Sequence, residues 1–267
     1  MGRRINAMPG SRRVPALDSS SLASHLDGYG SINVQTRLGI SVSGDSDGSG
    51  FINLEFIEMD SELMSKRANE FYKLMKKRRT TRHFSTRDVP REFIERAIQT
   101  AGTAPSGAHL QPWTFVAVSK PDVKWRIREA AEEEERKTYS ERMPESWAEV
   151  LRPLGTDHVK EHITDAPWLV VLFRQSKRLR ENGQWAPTYY SQESCGIAAG
   201  LFLASIHNMG LTTLTHTPSP MGFLREILGR PDHEHAMLLL PVGFPADEAK
   251  VPDLKRKELH EFSEFIE

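Results

Sequence analysis

Apolar residues recur along the chain in two rhythms. Phe93, Ile94, Ala97, Ile98 and Ala101 fall three and four apart, which predicts an amphipathic helix. Val89-Pro90-Arg91-Glu92 opens it and Gly102 ends it. The stretch Met64 to Lys77 has the same period, with Phe71, Leu74 and Met75 on its apolar side. Ser194 to Met209 is the most apolar helix and stops at Gly210; its Gly196 and Gly200 permit close helix packing. Short continuous apolar runs predict strands at Thr114 to Val118, Trp168 to Phe173, Leu211 to Thr215 and Met237 to Val242. Ala148 to Ile163 reads as a loop followed by a helix. This order of elements predicts an α+β fold, a mixed α/β sandwich.

The first 55 residues lack either rhythm. Ser41-Val42-Ser43-Gly44-Asp45-Ser46-Asp47-Gly48-Ser49-Gly50 is too polar to bury a core, so 1–55 reads as a disordered leader and 56–267 as the folded domain. Asp18, Asp27, Asp45 and Asp47 argue against a transit peptide. No apolar run approaches the roughly 18 residues of a membrane span, which leads to the expectation of a cytoplasmic protein. The 267 residues are 38% hydrophobic and 27% charged, an ordinary globular balance, and the net charge of −1 offers nucleic acid no general attraction. The single cysteine, Cys195, excludes an internal disulfide and a cysteine-based zinc cluster. No metal site is expected. Within Ser194-Cys195-Gly196 the thiol reads as a packed hydrophobe.

Candidate chemistry begins with Lys76-Lys77-Arg78-Arg79-Thr80-Thr81-Arg82, one helix's length before Gly102-Thr103-Ala104-Pro105-Ser106-Gly107-Ala108-His109-Leu110-Gln111-Pro112-Trp113. Alone, the basic run fits a solvated face and the loop fits a tight turn into the next strand. Together they point to a phosphate-bearing planar ligand. Guanidinium groups grip phosphate with paired hydrogen bonds, and small residues let backbone groups approach a ring edge.

Arg78-Arg79-Thr80-Thr81-Arg82, Ala104-Pro105-Ser106-Gly107-Ala108, Gln111-Pro112-Trp113 and Pro241-Val242-Gly243-Phe244-Pro245 resemble the FMN-dependent nitroreductase superfamily. Within it the chain is most similar to the iodotyrosine deiodinases, from about Met59 to about Leu259. General nitroreductases tend to carry Asn where this chain has His109. The resemblance implies an intertwined homodimer with FMN at the interface. It implies FMN contacts from Arg78, Arg79, Thr80, Thr81, Arg82, Pro105, Ser106, Thr215, His216, Thr217 and Arg256. NADPH is the implied ultimate reductant, through an unidentified reductase. Animal relatives carry an N-terminal membrane anchor, a pattern from which this chain departs.

A second constellation bears on the substrate. Glu135 and Tyr139 stand four apart and share a helix face, while Lys160 falls on the next predicted helix. A four-glutamate run by itself fits a solvated face. The resemblance gives these three residues a substrate role: Glu135 for an ammonium, Lys160 and Tyr139 for a carboxylate, with the Ala108 amide at a phenolate oxygen and Ser106 toward the cofactor. The implied activity is reductive dehalogenation of 3-iodotyrosine and 3,5-diiodotyrosine in one-electron steps, with Thr217 as the catalytic hydroxyl near the flavin. In His216 the chain departs from the Thr common in the family; its backbone is expected at the flavin, and its side chain's role stays open. The charged segment at about 131–160 reads as a lid that closes over substrate. A general FMN nitroreductase would share the basic turn and loop without needing Glu135, Tyr139 and Lys160 together. A non-enzymatic halotyrosine-binding accessory protein would need no Thr217.

Overall fold

The computed structural model describes residues 52–267. The polar leader therefore lies outside the described residues except for 52–55, which carry no helix or strand. In chain order the elements are α1 (Ser61–Lys76), α2 (Arg91–Gly102), β1 (Trp113–Val118), α3 (Pro121–Lys137), α4 (Glu145–Leu151), α5 (His162–Asp165) and β2 (Trp168–Gln175). They continue with β3 (Lys177–Leu179), β4 (Trp185–Pro187), α6 (Ser191–Asn208), β5 (Thr212–Thr213), α7 (Gly222–Ile227) and β6 (Glu234–Gly243). Among these residues no helix is long and apolar enough to cross a membrane.

The main sheet runs β1-β2-β6-β5, and its pairs are antiparallel. Its centre explains the unbroken apolar run of β2: Leu169 through Phe173 are all fully buried, because helices cover both faces. Val170, Leu240 and Val242 meet Ala97 and Ala101 of α2 and Ala198, Phe202 and Ile206 of α6. Alternation along the strands sends Leu169, Val171, Phe173 and Leu239 to the other face, against Ile127 and Ala131 of α3, Ile163 of α5 and Leu224 of α7. The result is an α+β sandwich of three layers.

Several details differ from the periodic pattern. Phe71 and Phe93, read as core-facing, are exposed, since α1 buries no residue and α2 turns Ile94, Ala97 and Ala101 inward instead. A Cβ at Gly196 or Gly200 would meet nothing within 4 Å, so among the described residues no other element uses the close approach these glycines permit. That face of α6 is open, with Ile197 exposed beside the glycines. The helix expected to reach Ile163 breaks up into α4, a short 3₁₀ turn and a loop, with α5 starting only at His162. Lys160 therefore lies in a loop, not on a helix.

Backbone hydrogen bonds fasten the basic segment to the sheet. Thr80 bridges Thr213 in parallel, the Thr81 amide donates to the Thr213 carbonyl at 3.3 Å, and the Ser85 amide donates to Phe244 at 2.9 Å. The cations of 78–82 are thereby carried to the end of β5, next to Thr215–Thr217.

Candidate functional site: two adjoining cavities and a detached loop

Two cavities share Arg82. The first, of about 350 Å³, is lined by Arg78, Arg79, Thr80, Arg82, Lys255 and Arg256, with Leu154, Pro252 and Leu254. Its charged lining is entirely cationic. Arg256 braces the basic segment by donating to the carbonyls of Lys76 at 2.7 Å and Arg78 at 2.5 Å, and Arg79 donates to Pro252. Burial, then the Arg256 and Arg79 charges, holds Arg78 below the ordinary arginine range. Like charges gathered around a cavity without an acid form an anion site, and this lining fits the phosphate of a flavin mononucleotide. Thr81 is buried and lines a smaller cavity of about 100 Å³ that also includes Arg78 and Arg79.

The second cavity, of about 200 Å³, is lined by Arg82, Glu135, Tyr139, Lys160, Thr215, His216 and Thr217 among others. Apolar cover comes from Met143, Trp147 and Leu151. Glu135 leaves α3 near its C-terminus. Its carboxylate lies 3.4 Å from the Lys160 ammonium, with the two side chains 14% and 4% exposed. Burial pulls the Glu135 carboxyl upward, but a hydrogen bond from His216 and the Lys160 charge outweigh it and leave the group below its ordinary value. Lys160 is lowered by burial, against the pull of Glu135.

The Lys160 loop is held in two ways. Its backbone amide donates to Glu132 at 2.9 Å, and Glu132 is itself paired with Arg128 at 2.7 Å. The Lys160 ammonium also reaches Thr156 Oγ1 at 3.4 Å and the Asp157 carbonyl. Tyr139 lies in a π-helical turn, Thr138–Arg142, that continues α3. Such turns often mark functional sites. Its hydroxyl donates to the Thr156 carbonyl at 3.1 Å, so it must turn before it can serve a ligand carboxylate.

Pro105, Ser106 and Ala108 stand elsewhere. The Gly107 amide donates to Ser194 Oγ at 3.3 Å, which ties the loop to α6, the layer opposite α3. A Cβ on Gly107 would come within 2.8 Å of the Tyr189 carbonyl, so only glycine fits there. Ala108, His109 and Gln111 have φ values of +50°, +53° and +47°, a costly cluster for residues with side chains. Ser106 Oγ accepts from the Gln111 amide at 2.9 Å, which leaves its proton free to donate. Within one chain, then, the structure joins Arg82, Glu135, Tyr139, Lys160, Thr215, His216 and Thr217. It does not bring Pro105, Ser106 or Ala108 to them.

Sequence reasoning missed His162, Glu132 and the apolar cover. Glu132 was hidden in the run Glu132-Glu133-Glu134-Glu135. His162 had one signal, a histidine beside an apolar residue two positions after Lys160.

The Nitroreductase family, compared as a sequence model, matches residues 75–244. The iodotyrosine deiodinase of Haliscomenobacter hydrossis is 51% identical over 208 residues, which span 78% of this chain and 94% of that protein. Human iodotyrosine deiodinase 1 is 50% identical over 197 residues, 73% of this chain and 68% of the human protein. A crystal structure of oxidized iodotyrosine deiodinase bound to FMN and 3-iodo-L-tyrosine superposes with a TM-score of 0.62 at 27% identity, covering 73% of this chain and all of that one.

Proposed function

Because the chain belongs to the nitroreductase family, we propose that it is an FMN-dependent oxidoreductase that removes iodide from 3-iodotyrosine and 3,5-diiodotyrosine and releases tyrosine. One observation carries this reading: a buried pair of opposite charges, Glu135 and Lys160, faces a cavity with apolar cover beside a cation-lined anion site. A halotyrosine presents the complementary features, an ammonium, a carboxylate and a flat apolar ring.

When bound and reduced, FMN would supply two electrons in single steps; with one proton these would replace the carbon–iodine bond by a carbon–hydrogen bond and release iodide. Arg78, Arg79, Thr80, Arg82 and Arg256 would hold its phosphate, and Thr215, Thr217 and the backbone of His216 would contact its ring. Glu135 takes the substrate's ammonium, and Lys160 its carboxylate. Tyr139 donates to that carboxylate once it releases Thr156. Trp147, Met143 and Leu151 exclude water from the ring. The residues 144–159 between α3 and Lys160 act as the lid; the wider span of about 131–160 is anchored at both ends, because Ala131 and Lys160 are buried.

The detached loop is the main support for a homodimer. Ser106, toward cofactor, and Ala108, toward the phenolate, reach a site on α3 only if a second copy presents them. The open face of α6 at Gly196, Ile197 and Gly200 supports the same pairing, since a helix apolar all round is seldom left half bare. NADPH, acting through a separate reductase, is the proposed electron source. The reading includes a cytoplasmic location, to be checked by fractionation of the producing cells. The decisive experiment is anaerobic reduction of the FMN-loaded protein with 3-iodotyrosine, followed by measurement of iodide and tyrosine. One equivalent of each per turnover is expected, and reoxidation of the protein without iodide would sink the proposal.

A further inference from the structure

Two buried histidines stand behind Glu135, and the chemistry proposed above does not use their side chains. His216 is fixed by its backbone, which exchanges two hydrogen bonds with Leu239, each 2.9 Å. Thr215 and Thr217 on either side are exposed, so extended alternation turns the imidazole inward, where His216 is 8% exposed. Its Nε2 lies 3.3 Å from Glu135 Oε1, and its Nδ1 lies 3.4 Å from Nε2 of His162. The rings meet edge to face at 74°, with centroids 5.1 Å apart. His162 opens α5 and is 6% exposed.

With both rings neutral, this geometry permits one arrangement of protons. A carboxylate only accepts, so His216 must carry its hydrogen on Nε2 and donate it to Glu135. The neutral ring then has only a lone pair at Nδ1, which the Nε2–H of His162 fills. Charging either ring is opposed from the surroundings. Burial acts first; Lys160 and Arg82 face both rings, and Arg128 also faces His162. Glu135 is the acid that faces His216. His162 is held down to about 2, chiefly by burial and next by His216.

We propose that His216, kept in one tautomer by His162, is a positioning residue that fixes the Glu135 carboxylate in the orientation that receives the substrate's ammonium. This rests on the halotyrosine reading. When the substrate's carboxylate draws Lys160 away, His216 is the partner of Glu135 that stays in place, because the sheet holds its backbone. The pair thus acts on the amino-acid end of the substrate and on neither its ring nor the flavin.

The test titrates the FMN-loaded full chain with two ligands, 3-iodotyrosine and 2-iodophenol, which keeps the halogenated ring but lacks both charged groups. His216→Ala should weaken iodotyrosine binding about tenfold and leave 2-iodophenol binding and FMN content unchanged. His216→Gln, whose amide can donate to Glu135, should recover most of the loss. His162→Phe keeps a ring but frees Nδ1 of His216 to take a proton. Its iodotyrosine affinity should then fall relative to wild type as the pH is lowered, as a cation at His216 competes with the substrate's ammonium. Unchanged iodotyrosine binding by His216→Ala, or an equal loss for both ligands, would overturn the proposal and leave the halotyrosine reading intact. Failure of the wild type itself to bind iodotyrosine would overturn that reading and the proposal with it.

Discussion

The Lys160 ammonium and the Glu135 carboxylate stand 3.4 Å apart, and each is the partner that a zwitterionic amino acid would bring to the other. Binding on the proposed reading is therefore an exchange of partners. Two buried charges trade one ion pair for two, and neither is left uncompensated, which is the condition under which buried charges are tolerated.

Glu135→Gln removes one side of that exchange. KM for 3-iodotyrosine should rise by a factor equivalent to about 1–3 kcal/mol, the cost of leaving a buried polar partner unsatisfied, while FMN content is retained. Steady-state kinetics with flavin absorbance on the same sample reads both; an unchanged KM would remove Glu135 from the site.

The same substitution has a pH signature in stability. Glu135 is depressed in the folded state despite the opposing effect of burial, so its favourable contribution is present above the ordinary carboxyl range of about 4.3 and fades as pH falls through the lower folded value. Glu135→Gln should be less stable than wild type at pH 7, and the gap should narrow below about pH 4. Urea midpoints across that range measure it, and a gap independent of pH would contradict the assignment.

Thr217 is exposed on the cavity wall beside His216. Thr217→Ala should suppress deiodination and spare the reduction of a nitroaromatic substrate by the same protein. Equal loss of both activities would show that the hydroxyl has no bearing on one-electron steps.

The segment 144–159 packs weakly, with Val150 and Val159 exposed between the buried Thr138 and Lys160. Limited proteolysis should cut there without ligand and be suppressed by 3-iodotyrosine, through closure of Trp147 over the ring. Cleavage that is the same in both conditions would mean that the segment does not act as a lid.

A site shared between two copies allows complementation. Ala108→Asp tolerates the left-handed backbone at that position but sets a carboxylate against the phenolate; Glu135→Gln impairs the other half. Each variant alone should be poor at low substrate concentration. Refolded together, they should recover about a quarter of wild-type activity, because half the dimers would carry one intact site of two. No recovery would place both halves of the site within a single chain.

The fold was legible where burial is periodic. The run of β2 and the Ile94, Ala97, Ala101 spacing of α2 foretold the layers they fill, because alternation and helical period follow directly from side-chain geometry. Phe71 and Phe93 misled the same reasoning, since period marks an apolar face and not what covers it. Glu135, Tyr139 and Lys160 came from resemblance, and their spacing alone would have left them on a solvated surface. The role of His162 could not be read, because it depends on a contact across 54 residues with a ring whose direction is set by the pairing of His216 with Leu239.

Glu132, Glu133, Glu134 and Glu135 are identical letters with four different addresses around one helix. Glu132 fixes Arg128 and the Lys160 amide, Glu133 meets Lys137 at the surface, Glu134 meets Arg142, and Glu135 enters the cavity. Each step along the run turns about 100°. Deleting any one of the four yields the same sequence of letters, yet it turns everything downstream, the last glutamate and Tyr139 together, by about 100° relative to Arg128 and the buried start of the helix. Composition would register a loss of one acid in four; the molecule would lose the angular phase on which recognition depends.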